Sequence, residues 1–413
     1  MVKLLPTFLL QAGFALAAVE YLNWTTYIAN DIDTLANAGV NTLRIPTTYA
    51  AWVKVPGSQL YSGNQVSFLN NIATYAITRY SMHIIIDVHS LPGGVNGKAF
   101  GEATGHYGWF NNQTALDYSL QAIDSVIAYI QNSSNPGSYT IEPINEPVDN
   151  KDMSAFGSPE ALSDEGAAWV LKYIQAVLDK VEVISPDIPV MFQGSFRGEE
   201  YWSPNFSTSA NLVFDVHNYY FAGRGATGKN ITTYICADAK NGAGDGKFPV
   251  FVGEWSIQAQ YNNSFADRDE ALNTGLYASA KDSQGSAYWN AKFSGNATVD
   301  GQGTQADYWN YMTWIDNDMI HPDEASGTTL LAIDLFLFWF RESYCCALSN
   351  TGLVSSQLSS SNLIRPKVPT AVNAYHMTRA LLSPLDAKRR LSLRTDKSQP
   401  GPIQLWLESY RRV

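Results

Sequence analysis

The chain predicts an α/β fold, a (β/α)8 barrel, from three observations. Short apolar runs alternate with helical patterns from Asn23 to about residue 320. Most of these runs are near-continuously apolar, as expected of parallel strands covered on both faces. Polar residues collect at the C-terminal end of one run after another, which is where a barrel gathers its working groups at a single mouth. The rival is an open doubly wound sheet, which carries a Gly-rich phosphate loop between strand and helix, and no such fingerprint is present.

The strand candidates, in order, are residues 41–46 (NTLRIP), 82–89 (MHIIIDVH), 139–147 (YTIEPINEP), 188–195 (IPVMFQGS), 212–220 (LVFDVHNYY), 248–256 (FPVFVGEWS) and 286–293 (SAYWNAKF). Helical periodicity falls between them over 24–39, 65–80, 115–131, 163–184 and 267–282. Strands alternating with helices imply a parallel sheet. This makes seven strands, one short of a closed barrel. The missing strand should precede the helix at 24–39. Either the segment FLLQAGFALAA within residues 1–23 supplies it, or the chain lacks a regular first strand.

Net charge is −11 over 413 residues, unevenly placed. Residues 1–324 carry 16 Lys and Arg against 33 Asp and Glu, whereas residues 325–413 carry 11 against 5. An acidic body argues against a nucleic-acid partner. Cys236 is the only cysteine in that body, with Cys345 and Cys346 in the basic tail, so no disulfide framework is expected in the barrel. No Cys/His cluster has metal-ligand spacing, and neither metal nor cofactor is expected. No apolar stretch is long enough for a clear membrane span.

The opening residues, 1–18, carry Lys3, then an apolar stretch, then small residues around Ala15–Ala17, which is the grammar of a signal peptide. Seven Asn-x-Ser/Thr sequons, at Asn23, Asn112, Asn132, Asn205, Asn230, Asn262 and Asn296, fit a secreted glycoprotein. The expected organisation is a leader over 1–18, the barrel over 19–324, and an atypical Ser- and Arg-rich tail over 325–413 without the periodicity of a second core.

Two carboxylates end apolar strands: Glu146 in INEP and Glu254 in VGEWS. A carboxylate at a barrel mouth is costly to desolvate unless it is hydrogen-bonded or used. Either alone reads equally well as a cap or an ion pair; together they fit the paired acid/base and nucleophile of glycoside hydrolysis. Asn145 stands beside Glu146. His217 and Tyr219 are one strand step apart and face the same side. Tyr219 is placed to donate to Glu254 and hold it ionised while Glu146 keeps its proton.

The ordered set LRIP, DVHSLPGG, INEP, DVHNYY, VGEWS and a late strand with Trp289 resembles glycoside hydrolase family 5, over about residues 22–322. Within the family it is most similar to fungal cell-wall β-glucanases, the exo-β-1,3-glucanases and endo-β-1,6-glucanases; residues 46–70 and RGEEYWSP (197–204) look closer to the β-1,6 branch. The resemblance implies a retaining double displacement with Glu146 as acid/base and Glu254 as nucleophile. It implies that Arg44, His89, Asn145, His217, Tyr219 and Trp289 line the subsite of the attacked sugar, with Arg44 orienting the nucleophile and Trp289 forming a platform. Trp109 and Trp255 are left to structural or outer-subsite roles. The implied partner is β-glucan, and the implied setting is a secreted, cell-wall-associated monomer. Family members carry a first strand of the type N-L-G-G-W, which has no match here. That departure keeps a second class open, a catalytically inactive glucan-binding protein on the same barrel. A Schiff-base barrel enzyme ranks third, since Lys292 alone sits late in a strand.

Overall fold

The computed structural model describes residues 24–60 and 62–320. Seven parallel strands follow one another in chain order in a single sheet: β1 (Thr42–Thr48), β2 (His83–Ser90), β3 (Tyr139–Glu142), β4 (Val190–Gln193), β5 (Leu212–Tyr220), β6 (Val250–Ala259) and β7 (Ser286–Tyr288). The two edge strands, β1 and β7, come back into contact, so the sheet is a nearly closed barrel. The leader, the candidate first strand and the tail after residue 324 lie outside the described residues.

Six longer helices cover the strands: α1 (Trp24–Asn37), α2 (Gln65–Tyr80), α3 (Gln113–Gln131), α4 (Asp164–Ile184), α5 (Ile231–Asn241) and α6 (Arg268–Asp282). Their ends follow local chemistry. Asn112 and Ser163 cap α3 and α4 by accepting the N–H of Ala115 and of Gly166. Helix α5 fell outside the expected periodicity. It opens Ile231-Thr232-Thr233, a run of β-branched residues that lowers helix propensity.

Alternation within strands sets up the site. On β2, Ile84, Ile86 and Val88 are fully buried in the apolar core, while Asp87 and His89 point the other way, into the barrel. Strand β5 repeats the pattern, with Phe214 in the core and Asp215, His217 and Tyr219 on the inner face. Register aligns the inner polar groups, with Asp87 opposite Glu142 and Gln193 opposite Asp215.

Three strands end differently from their apolar runs. Strand β3 stops at Glu142, because Pro143 has no N–H to give the ladder. Strands β4 and β7 are likewise shorter than their runs, and Trp289 lies just beyond β7. Cys236 lies on α5 and is buried. No helix among the described residues is long and apolar enough to cross a membrane.

Candidate active site

All eight residues singled out in the sequence meet at the C-terminal mouth of the barrel. Arg44 is the hub. Its guanidinium, 3% exposed, donates Nη1 to Glu254 Oε1 at 2.7 Å. It grips Glu142 with Nε and Nη2 at 2.6 and 2.7 Å, and Nη2 also reaches Asn145 Oδ1 at 2.9 Å. A planar fork matches a carboxylate in this bidentate way, which lysine does not.

Because Asn145 Oδ1 accepts from Arg44, its Nδ2 is the group facing His89 Nε2 at 3.2 Å. An amide N–H donates, so His89 Nε2 accepts. The ring proton of His89 then sits on Nδ1 and is given to Asp87 Oδ2 at 2.6 Å. Trp289 stacks on His89, with ring centroids 5.8 Å apart and planes at 21°.

Glu146 leaves β3 through an irregular turn and has φ of +42°. A non-glycine residue in that region stores of order 1–3 kcal/mol of strain, and such residues cluster at functional sites. Its Oε1 lies 2.8 Å from His217 Nδ1. His217 Nε2 meets Asp215 Oδ2 at 2.9 Å, and His217 Nδ1 is 3.6 Å from Glu254 Oε2. Tyr219 donates to that same Oε2 at 2.8 Å.

Glu254 is aimed by a bulge. Val216 pairs with Val252 and His217 pairs with Glu254, so Gly253 is the extra residue on β6. Its N–H goes to Asp215 Oδ1 at 2.6 Å. A Cβ at Gly253 would lie 2.2 Å from the same oxygen, so only glycine fits.

Electrostatics separate these groups. Burial pushes the Glu254 carboxyl up, but His217 and Arg44, with the Tyr219 hydroxyl, outweigh it and hold it below the usual glutamate range. Burial pulls His217 down, yet Glu254 and Asp215, with the Glu146 hydrogen bond, raise it well above an ordinary imidazole. Burial, then the charges of Glu254 and Glu146, raise Tyr219, so it stays a donor. Glu142 is raised well above its usual range by burial, against the pull of Arg44 and with help from Asp87 and Asp215.

Two groups, Glu146–His217–Glu254 and Glu142–Asp215–His217, bring three potential ligand atoms within 4.8 Å of one another. Those donors are already engaged with one another and with Arg44, whose charge and that of His217 occupy the place a cation would take.

Sequence reasoning passed over Asp87, Glu142, Asp215 and Trp309. The signal for the aspartates was on the page, since Asp-Val-His occurs at the end of β2 and again in β5. Trp309 lies in no strand. It stacks under Tyr219 at 5.3 Å and 19°, and donates Nε1 to Gln258 Oε1 at 2.6 Å. Trp109 and Trp255 are buried, at 0% and 2% exposed. Lys292, the lysine late in the last strand run, is paired with Asp31. A cavity of about 210 Å³ opens beside His217, lined among others by Asn218, Phe196 and Arg224.

A nearly closed parallel barrel with two glutamates at its C-terminal mouth, one just after β3 and one on β6, is the frame of a glycosidase family. The profile described as Cellulase (glycosyl hydrolase family 5) matches residues 11–295, and the chain belongs to that family. Among solved structures it is similar to the rutinosidase from Aspergillus niger, 56% identical with a TM-score of 0.72, covering 74% of this chain and 85% of that one. The AoRut crystal structure is 62% identical with a TM-score of 0.71, covering 74% and 84%. A probable glucan 1,3-beta-glucosidase A of Aspergillus niger is 27% identical over 241 residues, which are 57% of this chain and 53% of that protein. The chain spans about half the length of the curated relatives it matches.

Proposed function

We propose that the chain is a retaining glycoside hydrolase acting at C1 of a β-linked glucose, with Glu254 as nucleophile and Glu146 as acid/base. One observation carries this reading. Oxygens of Glu146 and Glu254 lie within 4.8 Å of each other. Retaining enzymes hold their carboxyl groups about 5–5.5 Å apart, and inverting ones about 6.5–9.5 Å apart to admit a water between them. In the first step Glu254 Oε attacks C1, the glycosidic C1–O bond breaks, and Glu146 passes its proton to the leaving oxygen. In the second, water attacks C1, Glu146 takes the water's proton, and the C1–Glu254 ester bond breaks. Arg44 and Tyr219 hold one Glu254 oxygen each and keep it ionised for attack.

The finer reading concerns the sugar. One of the solved structures it is similar to is a rutinosidase. A rutinoside carries rhamnose on O6 of its glucose, and β-1,6-glucan carries glucose on that same oxygen. Residues 46–70 and 197–204 point to the β-1,6 branch as well. The shared chemistry is a glucose substituted at O6, and we take that as the substrate class, ahead of a β-1,3-glucan. The leader-like residues 1–18 and the seven sequons support a secreted setting.

The test is turnover of purified protein on a nitrophenyl β-rutinoside, linear β-1,6-glucan and linear β-1,3-glucan, beside Glu254→Gln. The reading expects hydrolysis of the 6-substituted substrates, lost in the variant. Faster release from the β-1,3-glucan overturns the substrate class. Sugar binding without product from folded protein supports the non-catalytic alternative.

A further inference from the structure

The geometry points to Asp215 as a positioning residue for the general acid: it fixes the tautomer of His217, so that a single proton is shared between His217 Nδ1 and Glu146. This rests on the hydrolase reading above. Asp215 is buried at 4% exposure, and both of its oxygens are engaged. Oδ1 accepts the Gly253 N–H, and Oδ2 faces His217 Nε2 at 2.9 Å. A carboxylate only accepts, so Nε2 must carry a proton. That leaves Nδ1 to face Glu146 Oε1 at 2.8 Å. Two arrangements with the same proton count fit this contact. An imidazolium donates to ionised Glu146, or protonated Glu146 donates to a neutral ring.

The groups facing the pair decide which arrangement holds. From β6 comes Glu254, 3.6 Å from Nδ1. From β5 come Asp215 and Tyr219, from β3 Glu142, from β2 Asp87 and His89, and from β1 Arg44. Lys98 adds a positive charge on the Glu146 side. While Glu254 is ionised, its charge favours the proton on His217. As Glu254 bonds to C1 that charge is lost, and the proton shifts through Glu146 to the departing oxygen. Hydrolysis of the ester regenerates the Glu254 carboxylate, while Glu146 takes a proton from water and returns it to His217. The attack and the protonation are thereby coupled through one imidazole.

Asp215→Asn tests this role, although it also alters the contact of Asp215 with Glu142. The amide oxygen still accepts the Gly253 N–H, but Nδ2 now faces His217 Nε2, forcing that nitrogen to accept and moving the ring proton to Nδ1. The store is then closed, because protonating Nε2 would set two donors against each other. In a serine-protease triad the equivalent change lowers turnover about 10⁴-fold through the wrong tautomer.

The experiment compares kcat/KM against pH for wild type and Asp215→Asn on two glucosides that both carry rhamnose on O6, that is, two β-rutinosides. One has a methyl leaving group, which needs a proton, and one a 2,4-dinitrophenyl leaving group, which does not. Expected is a loss of about a hundredfold or more on the methyl glucoside, under tenfold on the dinitrophenyl glucoside, and an alkaline limb moved to lower pH. An equal loss on both with unmoved limbs, or no loss on either, overturns the proposal. Nitrogen-15 shifts of labelled histidine give a readout independent of turnover. Wild-type His217 should keep a proton on Nε2 at every pH up to the alkaline limb, and Nε2 found unprotonated below it would overturn the assignment. A wild type inert on both glucosides would defeat the hydrolase reading, and the nitrogen-15 result would still decide the tautomer.

Discussion

Tyr219 shows how much one hydroxyl can carry in this site. It gives Glu254 Oε2 a hydrogen bond at 2.8 Å and is itself backed by Trp309. A hydrogen bond to a charged group contributes about 1.5–3 kcal/mol. Tyr219→Phe should lower kcat about 10- to 100-fold, and the acid limb should move to higher pH, because one cause that depresses Glu254 is gone. Rate–pH profiles of both proteins check this. Glu254→Gln should lose about 10⁴-fold or more in kcat while its thermal unfolding stays close to wild type. At this scale the sequence was informative where a polar residue broke an apolar run. Glu146, Glu254, His217 and Tyr219 all stood out in that way. Asp87 and Asp215 broke their runs as well, in the repeated Asp-Val-His, but the register that sets Asp87 opposite Glu142 and Asp215 opposite Gln193 is not written in any single strand.

Among the elements, β6 is the most constrained. Its bulge exists because Gly253 gives its N–H to an aspartate on β5 instead of the ladder. Gly253→Ala should cost about 1–3 kcal/mol in thermal or denaturant unfolding, since the added methyl meets Asp215, and Glu254 should lose its aim with it. An unaltered midpoint would mean that β6 can slide. Helix α4 offers a milder case. Ser163 accepts the Gly166 N–H, and Asp164 and Glu165 follow it in the first turn. Ser163→Ala should cost about 1 kcal/mol, read as a shift in the urea midpoint at unchanged slope. Helices α2 and α4 were legible because their apolar spacing is long and regular. The ends of β3 were not, because the apolar run continues through Pro143 after the ladder has stopped.

Across the whole molecule, the alternation of runs and helices is what made a barrel legible. The count of seven was legible too, and the described residues hold those seven strands. What composition concealed is that the barrel interior is charged. Arg44 and His217 sit among Asp87, Glu142, Asp215 and Glu254. This has a pH signature. His217 is raised in the folded state, so its contribution to stability is complete below the ordinary imidazole value of about 6.5 and is lost as pH rises through the raised value. Thermal unfolding should therefore weaken on the alkaline side, and His217→Gln should flatten that slope. A variant with the same alkaline slope as wild type would place the loss elsewhere.

The paired Asp-Val-His steps carry a lesson for redesign. Both imidazoles rest against the aspartate two residues before them, one through Nδ1 on β2 and the other through Nε2 on β5. The difference is which ring nitrogen meets the aspartate, invisible to any score built on residue identity. His89 looks at an amide, which neither takes nor releases a proton, so it works as a post. His217 looks at a carboxyl group, so it works as a valve. An engineer seeking a sugar-binding protein without turnover would edit the β5 copy and leave the β2 copy alone, although the two are spelled alike.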